Sequence, residues 1–220
     1  MGMRVLVIDH GSTDRTREIA RERGAEVIER EWEGFVAGRR FALTQVRTPW
    51  TLMIDADEVL DDRLREAIGA AGEEFNCYLL ARTTFYCGRP LRMWRNERLL
   101  RLFRTHGARI EGAPTAGGSA HLHERWTCEP PIGTLPGTLL HYSYPSHAAY
   151  AAKYDWYTSI ESRGLLPSRA KAAAAVLLVI PRFVWYALGK GAVVDGPAGV
   201  RIAWYSALYP ATVRLKALRP

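Results

Sequence analysis

The chain has 220 residues, 48% apolar and 24% charged, with a formal net charge of +7. That is enough apolar material for one substantial packed domain with a tail, and it excludes wholesale disorder. The three cysteines, Cys77, Cys87 and Cys128, are odd in number and lack a CxxC spacing; they predict neither a disulfide framework nor a zinc knuckle, and they fit a reducing compartment.

The first residues run into a strand-like stretch, not a signal peptide. Arg4–Asp9 is short, apolar and β-branched and ends in an acid, the pattern of a buried strand. Gly11-Ser-Thr-Asp14 offers a tight turn and a cap for a helix that runs to Arg23, where Gly24 stops it. Ala25–Glu29 reads as a second strand and Phe35–Val46 as a helix with Phe35, Phe41, Ala42 and Val46 inward. Trp50–Ile54 is another apolar strand, followed by Asp55-Ala-Asp57-Glu58 and a helix over Asp61–Ala71. Alternating strands and helices predict an α/β fold with a parallel sheet. In such sheets ligands sit beyond the carboxyl ends of the strands, so Asp9 and the Asp55/Asp57 pair are expected near one another.

Beyond residue 75 the alternation stops. Cys77–Tyr86 and Leu99–Arg104 read as strands without a helix between them, and 105–138, rich in Gly and Pro, as an active-site loop. Ser146 caps a helix to Ser162, whose Tyr150, Tyr154 and Tyr157 read as core packing. Two amphipathic helical stretches follow, Ser168–Leu188 and Val200–Leu218, separated by Asp195-Gly-Pro-Ala-Gly199. The division expected is 1–145 as the catalytic domain and 146–220 as a helical region.

Charge is unevenly placed. Residues 1–162 carry 21 Lys and Arg against 22 Asp and Glu; residues 163–220 carry nine against one, Asp195. Basic residues among Trp, Tyr and aliphatics point to an anionic membrane surface, and no nucleic-acid motif accompanies them. Packing on the domain, or on a second copy, is the other reading of these helices. The uncharged apolar runs are each too short to span a bilayer alone.

Two segments carry chemistry. Asp55 and Asp57, two apart beyond a buried strand, are placed to bind one hard divalent cation, which would bridge a diphosphate and neutralise a departing nucleotide; the plainer reading is a solvated helix start. Asp9-His-Gly-Ser12-Thr-Asp14 pairs an acid, suited to a base N–H and a ribose hydroxyl, with amides facing phosphate; alone it is an ordinary strand–turn–helix junction. No GxxxxGK[ST] occurs, so a P-loop is excluded. A nucleotidyltransferase would want a Gly-rich basic loop after the first strand, and none is visible.

Taken in order, Val7-Ile-Asp-His-Gly-Ser-Thr-Asp-Arg-Thr16, Gly34-Phe-Val-Ala-Gly-Arg-Arg-Phe-Ala-Leu43, Leu52-Met-Ile-Asp-Ala-Asp-Glu58, Leu100-Arg-Leu-Phe-Arg104, His123-Glu124 and His141-Tyr-Ser-Tyr144 resemble the family-2 glycosyltransferases, most of all those of lipopolysaccharide-core type. The resemblance implies a GT-A-like, Rossmann-related nucleotide-sugar domain with a mixed, mainly parallel sheet, followed by the C-terminal helices. It implies that Asp9 holds uracil, with Ser12 and Asp14 at the nucleotide, Arg39 and Arg40 as a basic pair beside it, and Asp55 by the ribose and diphosphate. Asp57 would bind Mg²⁺ or Mn²⁺ with Asp55, and His141 would be a further metal contact. Glu124 would be the base that deprotonates the acceptor hydroxyl in one inverting displacement; its plain alternative is an ion pair with Arg125 or Arg109. His121 and His123 are too few for zinc. Arg101 and Arg104 face either phosphate or solvent.

The function so implied is hexose transfer from a UDP-sugar, such as UDP-glucose, to a lipid-linked or oligosaccharide acceptor of the cell envelope. The place implied is the cytoplasmic face of the cell membrane. Relatives begin with one more strand and helix, so an incomplete nucleotide half is expected here. An inactive membrane-binding remnant is the rival that this departure raises.

Overall fold

The computed structural model describes residues 3–95, 97–113 and 123–219. Its centre is a six-stranded mixed sheet of β3 (Trp50–Leu52), β4 (Glu58–Leu60), β5 (Cys77–Tyr86), β6 (Arg89–Pro90), β7 (Glu97–Arg104) and β10 (Ile132–Tyr144). The order is β3-β7-β5-β10-β4, with β6 against the end of β5. β5 and β10 run parallel, and β7 and β4 run against their neighbours. A separate parallel pair joins β1 (Leu6–Asp9) to β2 (Glu26–Glu29), and a third pair joins β8 (Ala108–Ala113) to β9 (His123–Cys128).

The predicted α/β class with C-terminal helices is what the structure has. Its expected single sheet through the first seventy residues is not: β3 pairs with β7 and not with β1, so Asp9 and Asp55 end strands of different sheets. The expected loop over 105–138 contains the β8–β9 hairpin and the start of β10. Cys77 of β5 and Cys128 at the end of β9, for which the sequence predicts no pairing, lie side by side with Cα atoms 6.7 Å apart.

Because side chains alternate along a strand, β5 sends Tyr78 and Leu80 to one face and Cys77 to the other. The first face packs with Leu64, Leu102, Leu135 and Leu139 under α3 (Asp62–Gly69). On the second, Cys77 and Phe103 pack with Ile110 and Trp126 of the hairpin, and Val36 and Leu43 of α2 (Phe35–Gln45) close over them. The short α1 (Thr16–Glu22) buries no residue. The far end of β5 meets the helical region: Tyr86 packs with Leu91, Met93, Tyr150, Ala192, Ile202 and Ala203.

That region comprises α4 (His147–Arg163), α5 (Arg169–Leu177), α6 (Val179–Val184), a π-turn at Trp185–Gly189 and α7 (Gly196–Lys216). Ser146 accepts the Ala149 amide and caps α4 as predicted. The predicted single helix over 168–188 is broken at Leu178. Pro181 has no N–H to give to the carbonyl four residues back, and the two pieces bend by 43°. The helices share a core with the sheet, so one face of them packs on the domain. Asp195 secures the contact by accepting the Arg92 and Met93 amides at 2.7 and 3.1 Å.

Gly137, at φ +96°, lets β10 pass against the start of α3; a Cβ there would lie 2.3 Å from the Leu64 nitrogen and 2.7 Å from Asp61 Oδ1. Asp61 is the α3 cap, accepting the Leu64 amide at 2.7 Å. Gly137→Ala therefore strains the backbone and dislodges the cap together, and urea unfolding should show a loss of about 2–4 kcal/mol. Asp61→Ala, which removes the cap alone, should cost about 1 kcal/mol.

Candidate active site

β3 and β4 are the opposite edges of the sheet, so Met53–Asp57 must cross from one to the other. Four strand spacings need about 19 Å, close to the full reach of six residues. The Glu58 amide also closes a turn on the Asp55 carbonyl, so the reach is met by a curled sheet. The crossing is held by Met53 N–H on the Arg101 carbonyl at 2.8 Å and Tyr142 N–H on the Asp57 carbonyl at 2.8 Å. It lays Asp55 and Asp57 over Arg101 of β7, Arg82 of β5 and His141 of β10.

Beneath the acids lies Glu58, with a fully buried side chain. Its Oε2 accepts the Asp55 amide at 2.8 Å, and its Oε1 accepts Arg101 Nη2 at 3.0 Å and Arg82 Nη1 at 3.4 Å. Arg82 grips Glu97 through two bonds at 2.9 and 3.0 Å. Arg101 Nη2 also reaches Asp55 Oδ2 at 2.9 Å, and Arg39 of α2 holds Oδ1. Arg101 is buried, yet its Nε and Nη1 have no partner among the described residues. A buried donor left in that state is costly unless something accepts from it, and Arg101 lines a cavity of about 1050 Å³.

Burial pushes the Asp55 carboxyl up, but Arg101 and then Arg39 outweigh it and hold it below its ordinary value. Asp57 behaves likewise. Burial raises it, and His141 first, then Lys153, bring it below the ordinary range. His141 Nε2 is 3.4 Å and Lys153 Nζ 3.7 Å from Asp57 Oδ2. Thr84 Oγ1 lies 3.2 Å from His141 Nδ1, and Lys153 donates to Ser143 Oγ at 2.8 Å.

The cavity runs from these acids to the helices. Its lining carries seven Arg and Lys (Arg39, Arg82, Arg98, Arg101, Arg125, Lys153, Arg182) against three acids (Asp55, Asp57, Glu97), a balance that favours an anionic ligand. The far wall is aromatic, with Tyr150, Tyr154 and Tyr157 of α4 and Tyr209 of α7. The tyrosines read as core packing thus also line the cavity. Tyr209 is held by a 2.8 Å bond to Glu161, whose side chain is buried.

Of the residues singled out by sequence, the structure brings Arg39, Asp55, Asp57 and His141 to one cavity. Asp9 is buried elsewhere, its Oδ1 accepting the Gly11 and Ser12 amides at 3.1 Å. The Ser12 hydroxyl is the largest influence holding its carboxyl below the ordinary range. Asp14 is exposed and accepts the Thr16 amide at 3.0 Å. Arg40 turns to the Ile110 carbonyl at 3.3 Å. Glu124 pairs with Gly112 in the β8–β9 register, next to the lining residues Arg125 and Trp126; its side chain, like that of His123, and all of His121 lie outside the described residues. Arg82, Glu58, Glu97 and Lys153 had no role in the sequence reading, because each acquires one only through pairing across strands or helices.

A divalent cation fits here in one way. Both Asp55 oxygens are taken by guanidinium groups, and no three His, Cys, Asp or Glu side chains among the described residues form a cation cage. Magnesium, however, is commonly held by one or two carboxylates with substrate phosphates supplying the rest. Asp57, about one-third exposed, offers one such carboxylate, with His141 Nε2 3.4 Å from it.

The family model for glycosyl transferase family 2 matches residues 2–123. Among curated proteins, an uncharacterized glycosyltransferase of Rickettsia bellii is 28% identical over 83% of this chain and 64% of its own. The lipopolysaccharide core biosynthesis glycosyltransferase LpsC of Rhizobium meliloti is 32% identical over 63% of this chain and 53% of its own. The chain thus spans less than two thirds of the length of these relatives. Among solved structures, S. aureus TarS (1–349) is 15% identical, covering 98% of this chain and 78% of that one at a TM-score of 0.39, a likeness too weak to carry an argument.

A carboxyl depressed on folding stabilises the folded chain above its unfolded pKa, and that contribution is lost as the pH falls through the folded value. Asp55→Asn should therefore flatten the acid limb of the stability curve below pH 3.8, the ordinary value. It should also lower stability at neutral pH by about 1–3 kcal/mol, because Arg39 and Arg101 each lose one ion pair. Urea midpoints across a pH series measure both.

Proposed function

The chain belongs to glycosyl transferase family 2, and we propose that it moves a hexose from a UDP-sugar, such as UDP-glucose, to a cell-envelope glycan acceptor of lipopolysaccharide-core type. The observation that carries the donor is the charge of the cavity lining, seven Arg and Lys against three acids. A diphosphate answers that excess of donors. Arg39 and Lys153 line the same cavity, bonded to Asp55 and near Asp57 respectively, so the leaving group's charge is met by fixed cations. The Tyr154 and Tyr209 wall suits the apolar faces of sugar rings.

In this reading Asp57 and His141 hold Mg²⁺ or Mn²⁺, with Asp55 turned to the arginines. The cation, when bound, neutralises diphosphate charge. Glu124 takes the proton of the acceptor hydroxyl as that oxygen attacks the anomeric carbon; the glycosidic bond forms as the bond to the diphosphate breaks, and the configuration inverts. Asp9, Ser12 and Asp14 meet the nucleoside. The helical region keeps the chain on an anionic membrane, at the cytoplasmic face of the cell membrane, a placement supported by residues 163–220, which hold nine basic residues against one acid.

Calorimetric titration with UDP, with and without Mn²⁺, tests the reading. Metal-strengthened binding is expected, and Asp57→Ala should abolish the metal effect. Lys153→Ala should weaken UDP binding by about tenfold, a charge-assisted contact being worth about 1.5–3 kcal/mol, while leaving uridine unaffected. A folded chain that binds no UDP under either condition would sink the proposal and favour the inactive membrane-binding remnant.

A further inference from the structure

The segment Val179–Gly189, α6 with its π-turn, has two faces of different character. Val179 and Phe183 pack against Ala207 and Ala211 of α7. Beside them Arg182 and Tyr186, one turn apart, line the cavity. On the opposite side Ile180, Val184, Trp185 and Leu188 stand 60, 47, 60 and 67% exposed, continued by Leu177 of α5 at 78%. Positions 180, 184 and 188 follow helical spacing within the segment, so these side chains, with Trp185 beside Val184, form one apolar stripe, and Leu177 is exposed beyond the bend. Isolated apolar residues on a surface need no explanation, but a continuous stripe does.

Charge chooses the occupant. Arg169 and Lys171 of α5, Lys190 just past the π-turn and Arg201 of α7 are exposed, and residues 163–220 hold nine basic residues against one acid. A second copy would set like charge on like charge, whereas an anionic bilayer answers both the charge and the apolar stripe. No single described helix is long and apolar enough to cross a membrane, but the pair Arg169–Leu177 and Val179–Gly189, bent by 43°, has the length and composition of a broken span or re-entrant element. Trp185, on the outer face, is of the type favoured at the headgroup layer.

We propose that the outer face of Val179–Gly189 seats in an anionic bilayer and that its inner face, through Arg182 and Tyr186, receives the phosphate and first sugar of a lipid-linked acceptor. A helix with its side chains is about 10 Å across, so the cavity wall lies within one helix diameter of the headgroup layer. An acceptor carried on a lipid phosphate then enters from the plane of the bilayer without its tail leaving the lipid. Arg182 is suited to that phosphate: Nη1 donates to the Ala175 carbonyl at 3.3 Å, and no carboxylate pairs with it among the described residues. Tyr186 sits one turn on, where a ring stacks on a sugar face. The acceptor part rests on the glycosyl-transfer reading, whereas the bilayer part does not.

The test is sedimentation of the full chain with vesicles of phosphatidylcholine, alone or mixed with phosphatidylglycerol, and with the mixed vesicles doped with a polyprenyl monophosphate. The wild-type chain should bind the mixed vesicles at least about tenfold more tightly than the neutral ones, and added salt should weaken that binding. Trp185→Ser with Leu188→Ser should lower it by at least about tenfold, with UDP calorimetry unchanged. The dopant should tighten binding further; Arg182→Ala should lose only that increment, and Arg182→Lys should recover part of it. Unchanged vesicle binding by the double variant would overturn the bilayer seat. An undiminished response of Arg182→Ala to the dopant would overturn the phosphate site. Loss of UDP binding by the wild-type chain, by contrast, strikes the donor reading and leaves the vesicle result standing.

Discussion

The site depends on one buried carboxylate. Glu58 opens β4 at the far edge of the sheet, yet its oxygens accept from the Asp55 amide, from Arg101 on β7 and from Arg82 on β5. It therefore ties the crossing loop to two central strands. Removing one member of such a buried set leaves a charge uncompensated, at a cost of about 3–5 kcal/mol. That coupling fixes the loop: Asp55 and Asp57 are displayed over the sheet because the residue next to them is anchored beneath it. Two guanidinium groups around one carboxylate would also leave excess positive charge, and Asp55 and Glu97 each absorb part of it. The outcome is a floor of guanidinium groups paired with carboxylates and set before any ligand arrives, which is how fixed dipoles and charges act most strongly on a departing anion.

The helical region belongs to the same body. Tyr150 packs with Tyr86 of β5 and with Ile202 and Ala203 of α7. One turn along α4, Lys153 reaches Ser143 on β10 and approaches Asp57. At the start of α2, Phe35 meets Trp156 and Tyr157 of α4 edge-on and stacked. A single helix thus packs the core, adds a cation to the acidic end and forms the aromatic wall. Any force that tilts the helices, a bilayer included, is felt at Asp57 through Lys153 and at the cavity wall through Tyr154 and Tyr157.

Much of this was legible in the sequence where local chemistry decides. Strands with β-branched cores, the Ser146 cap and the acids closing strands carry period and end signals that tertiary structure did not override. What was hidden is non-local. The 105–138 stretch looked like a loop because its Gly and Pro content masks a hairpin held by packing of Ile110 and Trp126 on Cys77 and Phe103, and the start of β10, held by pairing to β5. The break at Leu178 was foreshadowed by Pro181, but apolar periodicity across it read as continuous. Asp9 and Asp55 both end strands; nothing in either strand says that β3 takes β7 as its neighbour. Glu58 is the clearest case. Beside Asp55 and Asp57 it looks like a third surface acid, and only the burial of β4 against β10 turns it into the anchor.

The two aspartates, alike on the page, are divided by their partners. At Asp55 a divalent cation would have to share Oδ1 with Arg39 or Oδ2 with Arg101, each already in a charge-assisted bond, and would set its charge beside two guanidinium groups. At Asp57 the neighbours are an imidazole nitrogen at 3.4 Å and an ammonium at 3.7 Å on a flexible stem. Neither contact is short, and the ammonium has Ser143 to retain it. Displacement is therefore far cheaper at Asp57, and a displaced Lys153 carries its charge toward whatever anion accompanies the cation. Asp55 acts by fixing the guanidinium groups, and Asp57 is the carboxylate left free to exchange partners.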